Sequence, residues 1–492
     1  MKSNTPSSNT EAVGKKNQRA DGSEVKVKKS GKSFSLIGWL TKNELVETFT
    51  NAWKIPDIRK KLLFTLMIVL LYRIGANLYV PFVDIVRISN NANISQLTSG
   101  IFGMINLFSG GAFEQASLFA LSVSPYITAS IVMQLLTIAI PKLEQLSKEG
   151  EEGKKKINAI TRIVTVALSV ITAYGYVKLL GTPNQYGEDL LLISKSNKPM
   201  YVLGMIVMIS CFCAGASIIM WMAERINRNG IGNGISVILF ANIISRGGAM
   251  VMGMVGMMQD TYGNWLTGGK LVVGIIEVII SLALTILAIG LIVWFTNSEE
   301  RIKIQYAKKV VGRKMYGGQS SNLPLKMNMA GVMPVIFASS IVSILPTVAG
   351  FFSSSNGFNK FVTNYLGAGT PAYILTYFVL IFLFSYFYIM ISFNPIEVAN
   401  NIKSNGGSIK GFRSGSETAA YIKKHLNRIT TIGAVFLAVI AGVPMIIGAL
   451  VPSFTSIAFG GTSLLIAVGV ILEVVRAVEA QMKLRNYKGF LD

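Results

Sequence analysis

RIKIQYAKKVVGRKMYGGQSSNLPLKMNMAGVMPVIFASS, residues 301–340, opens as a run of lysines and arginines and closes as an uncharged apolar stretch. The change comes within a few residues of Lys326. The apolar end reads as a membrane span, and the basic part is too long and too cationic for a simple turn. Beside a span, such a segment reads as a docking surface on the cytoplasmic side.

The rest of the chain agrees with a membrane reading. Of 492 residues, 51% are apolar and only 14% charged, a balance outside the range of soluble globular domains. A span needs about 20 apolar residues to cross roughly 30 Å of hydrocarbon. Ten stretches of that kind begin near Leu62, Ser117, Ile157, Met200, Ile231, Leu271, Met329, Ala372, Ile429 and Phe454. The expected fold is therefore all-α and polytopic, with ten transmembrane helices. Residues 1–38, rich in Lys, Ser and Asn and without a small-residue cleavage pattern, read as a disordered cytoplasmic leader.

Basic residues collect before span 1, in Lys142 to Arg162, between spans 6 and 7, in Lys403 to Arg428, and from Lys483 onward. All of these fall on one side, which places both termini in the cytoplasm. The net charge of +22 is then mostly cytoplasmic. It serves as the topology signal and also suits a polyanionic partner such as ribosomal RNA or an acidic protein.

Enzymatic chemistry finds little footing. Cys211 and Cys213 sit two apart in span 4, on different faces of a helix. His425 is the single histidine and reads as a solvated loop residue among Lys423, Lys424 and Arg428; one imidazole builds neither a metal site nor a triad. No Gly-x-x-x-x-Gly-Lys-Ser/Thr pattern is present. No catalytic residue, metal or cofactor is expected, and energy must come from a partner. Charges within spans are few, chiefly Arg73, Glu277 and Glu473. That scarcity favours a passive conduit over an ion-coupled carrier of small solutes, which would need a midplane site.

The second apolar region is interrupted. Residues Ile101 to Phe108 form a short amphipathic piece ahead of Ser109, Gly110 and Gly111, too short to cross. It is either an external interfacial helix or a re-entrant stopper lining a cavity.

A family resemblance bears on the choice. FSGGA at Phe108 to Ala112, PYITASIVMQLL at Pro125 to Leu136, LSKEGEEGKKKIN at Leu146 to Asn158 and GIGNGIS at Gly230 to Ser236 come in order. They are followed by QYAKKVVGRKMYGGQS, LPLKMNMAGVMPVIFASSI, FNPIEVANNIK, FGGTSLLI and RNYKGFL. Together they resemble the SecY family, the channel-forming subunits of bacterial protein-export translocons. The resemblance implies two inverted halves, residues 39–251 (spans 1 to 5) and 252–492 (spans 6 to 10), around an hourglass pore through which unfolded preproteins cross. Its waist would be a ring of aliphatic side chains: Val123, Ile127, Ile235, Leu239, Ile336 and Ile466. An apolar constriction excludes water and ions by dewetting yet deforms around a passing chain.

The piece at about 98–112 would be the plug, through Ile101, Phe102, Met104, Ile105, Phe108, Gly110 and Gly111. Spans 2 and 7 would form a lateral gate, lent mild polarity by Thr128, Gln134, Ser339 and Ser340, through which signal sequences and membrane helices pass into lipid. The loops at about 297–328 and 394–428 would dock a SecA-like motor ATPase or the large ribosomal subunit. Their docking residues would be Arg301, Lys308, Lys309, Arg313, Lys314 and Arg413. Ser414 departs from the family, which usually has Pro there, so the tip beside Arg413 is expected to be less rigid. SecE-like and SecG-like subunits are the implied membrane partners, in the plasma membrane. An accessory translocon for few substrates would not need two full docking loops. Because the basic loop runs into span 7, a docked partner would open the gate by tilting that span.

Overall fold

The computed structural model describes residues 50–84, 106, 108–181, 191–192, 198–248, 251–252, 269–306, 309–311, 314–316, 320–349, 357–367, 370–450 and 460–488. The leader at 1–38 lies outside these. Each of the ten expected stretches contains a helix, but their lengths differ. They are α1 (Pro56–Ala76), α2 (Ser124–Ala139), α4 (Glu151–Leu180), α5 (Lys198–Asn229), α6 (Gly234–Ser245), α7 (Gly269–Asn297), α8 (Met333–Ala349), α10 (Pro371–Ser392), α12 (Ser416–Leu450) and α13 (Gly460–Lys488). Among the described residues, 6 helices are long and apolar enough to cross a membrane unaided, or up to 7 if a bent pair counts as one.

A short helix, α9 (Gly357–Leu366), lies between α8 and α10. The bent pair is α2 with α3 (Pro141–Lys148), which meet at 101°. Pro141 explains the corner. It cannot continue the helix of the residues before it, and it holds Ile140 extended at φ −108, ψ 113. No residue of α3 is buried, so α3 lies on the surface rather than prolonging the span. The lipid-facing side of the bundle is plain on α1 and α7, where Leu66, Leu70, Ile74, Ile279, Leu282 and Leu287 are exposed. Such an apolar surface would aggregate in water and is at home in hydrocarbon.

The basic segment that opened the sequence is not an irregular loop. Glu299–Tyr306 forms β1 and Ser320–Lys326 forms β4, paired antiparallel from Glu299↔Lys326 to Gln305↔Ser320. Between them Lys309–Val311 (β2) pairs with Lys314–Tyr316 (β3) in a second hairpin. β1 also pairs with β5 (Gly407–Ile409), which follows α11 (Pro395–Ser404), giving the order β4-β1-β5. The two expected docking loops are thus joined in one sheet.

Side chains alternate along β1. Ile302 and Ile304 turn inward onto Ala399, Ile402, Ile422 and Ile429, while Arg301 and Lys303 face out. Burying each isoleucine contributes about 1.5–3 kcal/mol. Pro324 is accommodated because β4 is an edge strand.

The structure corrects the reading of His425. It sits in α12, its side chain is 21% exposed, and its Nδ1 lies 2.9 Å from Oε1 of Glu300 on β1. A residue expected to be solvated instead ties the helix to the sheet.

Candidate functional site

The GIGNG motif sets the start of α6. Asn233 caps the helix by accepting from Ile235 N at 3.1 Å, and Asn227 Oδ1 accepts from Gly234 N at 2.7 Å. The cap holds Ile235 in the first turn, on the wall of a cavity of about 150 Å³. Ile127 of α2 and Ile336 of α8 line the same cavity, with Ser130, Gln134 and Phe337. Three of the six expected ring residues, from three helices, therefore meet. Val123, Leu239 and Ile466 are buried at the N-cap of α2, within α6 and on α13, and α13 packs against α6. The wall is mixed: the three isoleucines, Met333 and Phe337 face it alongside the polar Ser130, Gln134, Asn233 and Tyr388.

The expected plug is described only in part: Ile101, Phe102, Met104 and Ile105 lie outside the described residues. Phe108 and Gly110, at its base, are buried, and Gly111 is partly so. Gly110 has φ +66, and a Cβ there would come within 2.8 Å of Ser245 Oγ and 3.1 Å of Asn242 Oδ1, so only glycine seats against α6. The Phe108 carbonyl accepts from Ser122 Oγ at 2.7 Å and from the Asn242 side-chain amide. Asn242 also donates to the Tyr72 hydroxyl at 2.9 Å, bringing α1 into the cluster. Ser109 Oγ donates to Asn106 O at 3.0 Å and accepts from Phe113 N at 3.0 Å. The described base is packed inside the bundle.

At the expected gate, α2 and α8 pack against each other. Ser339 and Ser340 are buried, but both hydroxyls donate to Ile336 O at 2.8 Å within their own helix. Gln134 bonds Ser130 at 3.4 Å and faces the cavity. Thr128 is half-buried on α2. These two serine hydroxyls are therefore satisfied within α8 rather than across the seam.

Of the docking residues, Arg301 is exposed and bonded to Glu299 on its own strand, Nε to Oε1 at 2.7 Å. Lys309 and Lys314 lie on the small hairpin, while Lys308 and Arg313 fall outside the described residues. Arg413 is exposed between β5 and α12. At the sheet's base, burial and the nearby Arg476 lower the Lys326 pKa, partly offset by Glu299.

Two features escaped the sequence reading. One is Asn242, an amide in the apolar run of α6. The other is Arg162, whose Nε donates to Glu224 Oε1 at 2.7 Å while its Nη2 donates to Oε2, joining α4 to α5. Breaking a paired charge costs more than replacing the whole pair. Glu224→Ala is expected to destabilise by about 1–3 kcal/mol, discounted because Arg162 is partly exposed. The double variant Arg162→Leu/Glu224→Leu should recover most of the loss in a thermal melt in detergent.

A helical membrane bundle in which three of its helices bring isoleucines to one cavity, beside a buried turn at Phe108–Gly110, has the architecture of a polytopic helical channel. The model of the SecY family matches residues 117–475. A protein translocase subunit SecY of Streptomyces galbus is 41% identical over 450 residues, 91% of this chain and 100% of that one. Among solved structures, a SecY whose plug domain stabilises the closed state of the translocation channel superposes with a TM-score of 0.56 at 18% identity, over 88% of this chain and 96% of that one. Sec61 in the canine ribosome-channel complex superposes with a TM-score of 0.55 at 17% identity, over the same shares. The chain belongs to the SecY family, and is a multi-pass membrane protein.

Proposed function

We propose that this chain forms the pore of a protein translocase, passing unfolded preproteins across the plasma membrane and releasing signal sequences and membrane helices sideways into lipid. The observation that carries the reading is the meeting of Ile127, Ile235 and Ile336 from three helices on one small cavity, in a chain of this family. The aliphatic contacts at that meeting point hold no particular sequence tightly, as a conduit for many substrates requires. Val123, Leu239 and Ile466 complete the ring. The segment at about 98–112 closes the resting pore, and α2 and α8 part to open the lateral gate.

Both termini lie in the cytoplasm, and the two halves are inverted repeats about the pore. The chain is no enzyme, and the work is supplied by its partners. Those are SecE-like and SecG-like subunits in the membrane, with a ribosome or a SecA-like motor on the cytoplasmic sheet. The outward Arg301 and Lys303 and the exposed Arg413 suit a phosphate-rich surface.

Charge reversal at Arg313 and Arg413 tests the docking surface. Preprotein transport into reconstituted vesicles is expected to fall about ten-fold at equal protein level, the equivalent of roughly 1.4 kcal/mol. Unchanged transport would remove these residues from the docking surface.

A further inference from the structure

The tip beside Arg413 lacks the proline that would stiffen it, yet the structure holds it from below. Arg413 N donates to Glu417 Oε2 at 3.0 Å, and Arg413 O accepts from Thr418 Oγ1 at 2.8 Å. Both backbone polar groups of the docking arginine are thus occupied by the first turns of α12. Thr418 is 1% exposed, so its hydroxyl has been withdrawn from water and placed on that carbonyl. The residue before Arg413 is held as well. Phe412 N donates to Ile409 O at 3.1 Å, and its ring packs on Tyr421 at 4.3 Å, which packs on His425 at 4.4 Å. His425 in turn meets Glu300 of β1, so the tip is continuous with the sheet.

From this geometry we infer that Thr418 and Glu417 are positioning residues, which aim the Arg413 side chain by fixing its backbone. The inference rests on Arg413 being a docking residue. Thr418 acts through a single oxygen on the Arg413 carbonyl. Valine has the same shape without that donor and leaves the carbonyl free to turn. Serine keeps the donor. Proline at position 414 would supply the missing restraint by another route, because a residue preceding proline is confined to extended backbone. Among the described residues, positive φ outside glycine is confined to Phe82, Ala116 and Ser122, so the Ser414 backbone lies on proline's side of φ.

The test is equilibrium binding of purified bacterial ribosomes to the full chain in lipid nanodiscs, with transport into vesicles alongside. Arg413→Glu establishes the docking contribution and is expected to weaken binding about ten-fold or more. Thr418→Val should weaken it about five-fold and Glu417→Ala about three-fold, with melting temperatures near that of the parent. Thr418→Ser should bind as the parent does, and Ser414→Pro should restore most of the affinity lost in Thr418→Val. Glu417→Ala, at an exposed position, keeps the test informative if Thr418→Val fails to fold. Parent-like binding of both Thr418→Val and Glu417→Ala, with Arg413→Glu impaired, would overturn the positioning role while leaving the docking role standing. Equal losses in Thr418→Val and Thr418→Ser, or no rescue by Ser414→Pro, would overturn it too. Parent-like binding of Arg413→Glu would take down the docking reading and this inference together.

Discussion

Asn242→Leu is expected to raise the resting ion conductance of the channel in planar bilayers by about ten-fold. Asn242 is 1% exposed, and its amide donates to Phe108 O, to the Tyr72 hydroxyl and, at 3.5 Å, to Ser122 Oγ. Those acceptors lie on separate segments: the base of the segment proposed as the plug, α1 and the entry to α2. One side chain therefore ties that proposed plug to two other elements of the bundle. Leucine keeps the branched outline, though bulkier, and has no donor.

Each lost buried hydrogen bond is worth about 0.5–1.5 kcal/mol net, and two of them suffice for a ten-fold change in the closed-state equilibrium. Ser122→Ala removes the other donor to Phe108 O and should leak by a smaller factor, because Asn242 remains. The two changes share an acceptor, so their combination should be non-additive. A folded Asn242→Leu channel that stays as tight as the parent would show that the stopper is held elsewhere.

What could be read from the sequence follows from which signals are local. The family motifs are contiguous blocks, and they led directly to Ile127, Ile235 and Ile336. The sheet left a local signal that the basic-loop reading passed over. RIKIQ alternates basic and aliphatic residues with the period of a half-buried strand, which is how β1 is built. Its partners lie far along the chain: β5 is about a hundred residues away, and the cost of closing so long a loop is not written in either strand.

The same distance hid the His425 contact with Glu300. Local sequence surrounds His425 with lysines, and only the fold brings in a carboxylate 125 residues upstream. Arg162 read as a topology charge because it borders a basic segment, and its bond to Glu224 exists only once α4 and α5 pack. Asn242 carried a usable signal, since a lone amide in an apolar span demands a partner. Helix lengths were overestimated where apolar runs continue past a helix end. The stretch beginning near Ile231 yields only the 12 residues of α6, which starts at the Asn233 cap and already ends at Ser245, with Arg246 as its C-cap.

A four-residue Gly-Ser insertion between Gly331 and Val332 is expected to leave ribosome binding within two-fold of the parent while lowering transport about ten-fold. The sheet and α8 are joined by six residues that are anything but slack. Met327 N donates to Ser298 O at 2.9 Å, closing the base of the β1–β4 ladder against the end of α7. Ala330 is buried between Ile389 and Leu426, and Val332 is buried as well. The carbonyl of Val332 then accepts from Val335 N and Ile336 N, both at 3.2 Å, so the connector ends inside the first turn of the helix bearing the ring residue.

On the proposed mechanism, force applied to the sheet would reach Ile336 through this packed connector, and coupling between two such sites is typically 1–3 kcal/mol, or about 5- to 150-fold. Position matters for the test. An insertion between Ser321 and Lys326 would fall inside β4, shift its register and expose Leu325, destroying the sheet rather than the linkage. Gly331 has φ +64 and nothing within 4 Å of where a Cβ would stand, so extra residues there have room to loop outward. If transport by the extended variant matches the parent, docking does not open the pore by tilting α8, and the route must run instead through α7 or α12, which also meet the sheet.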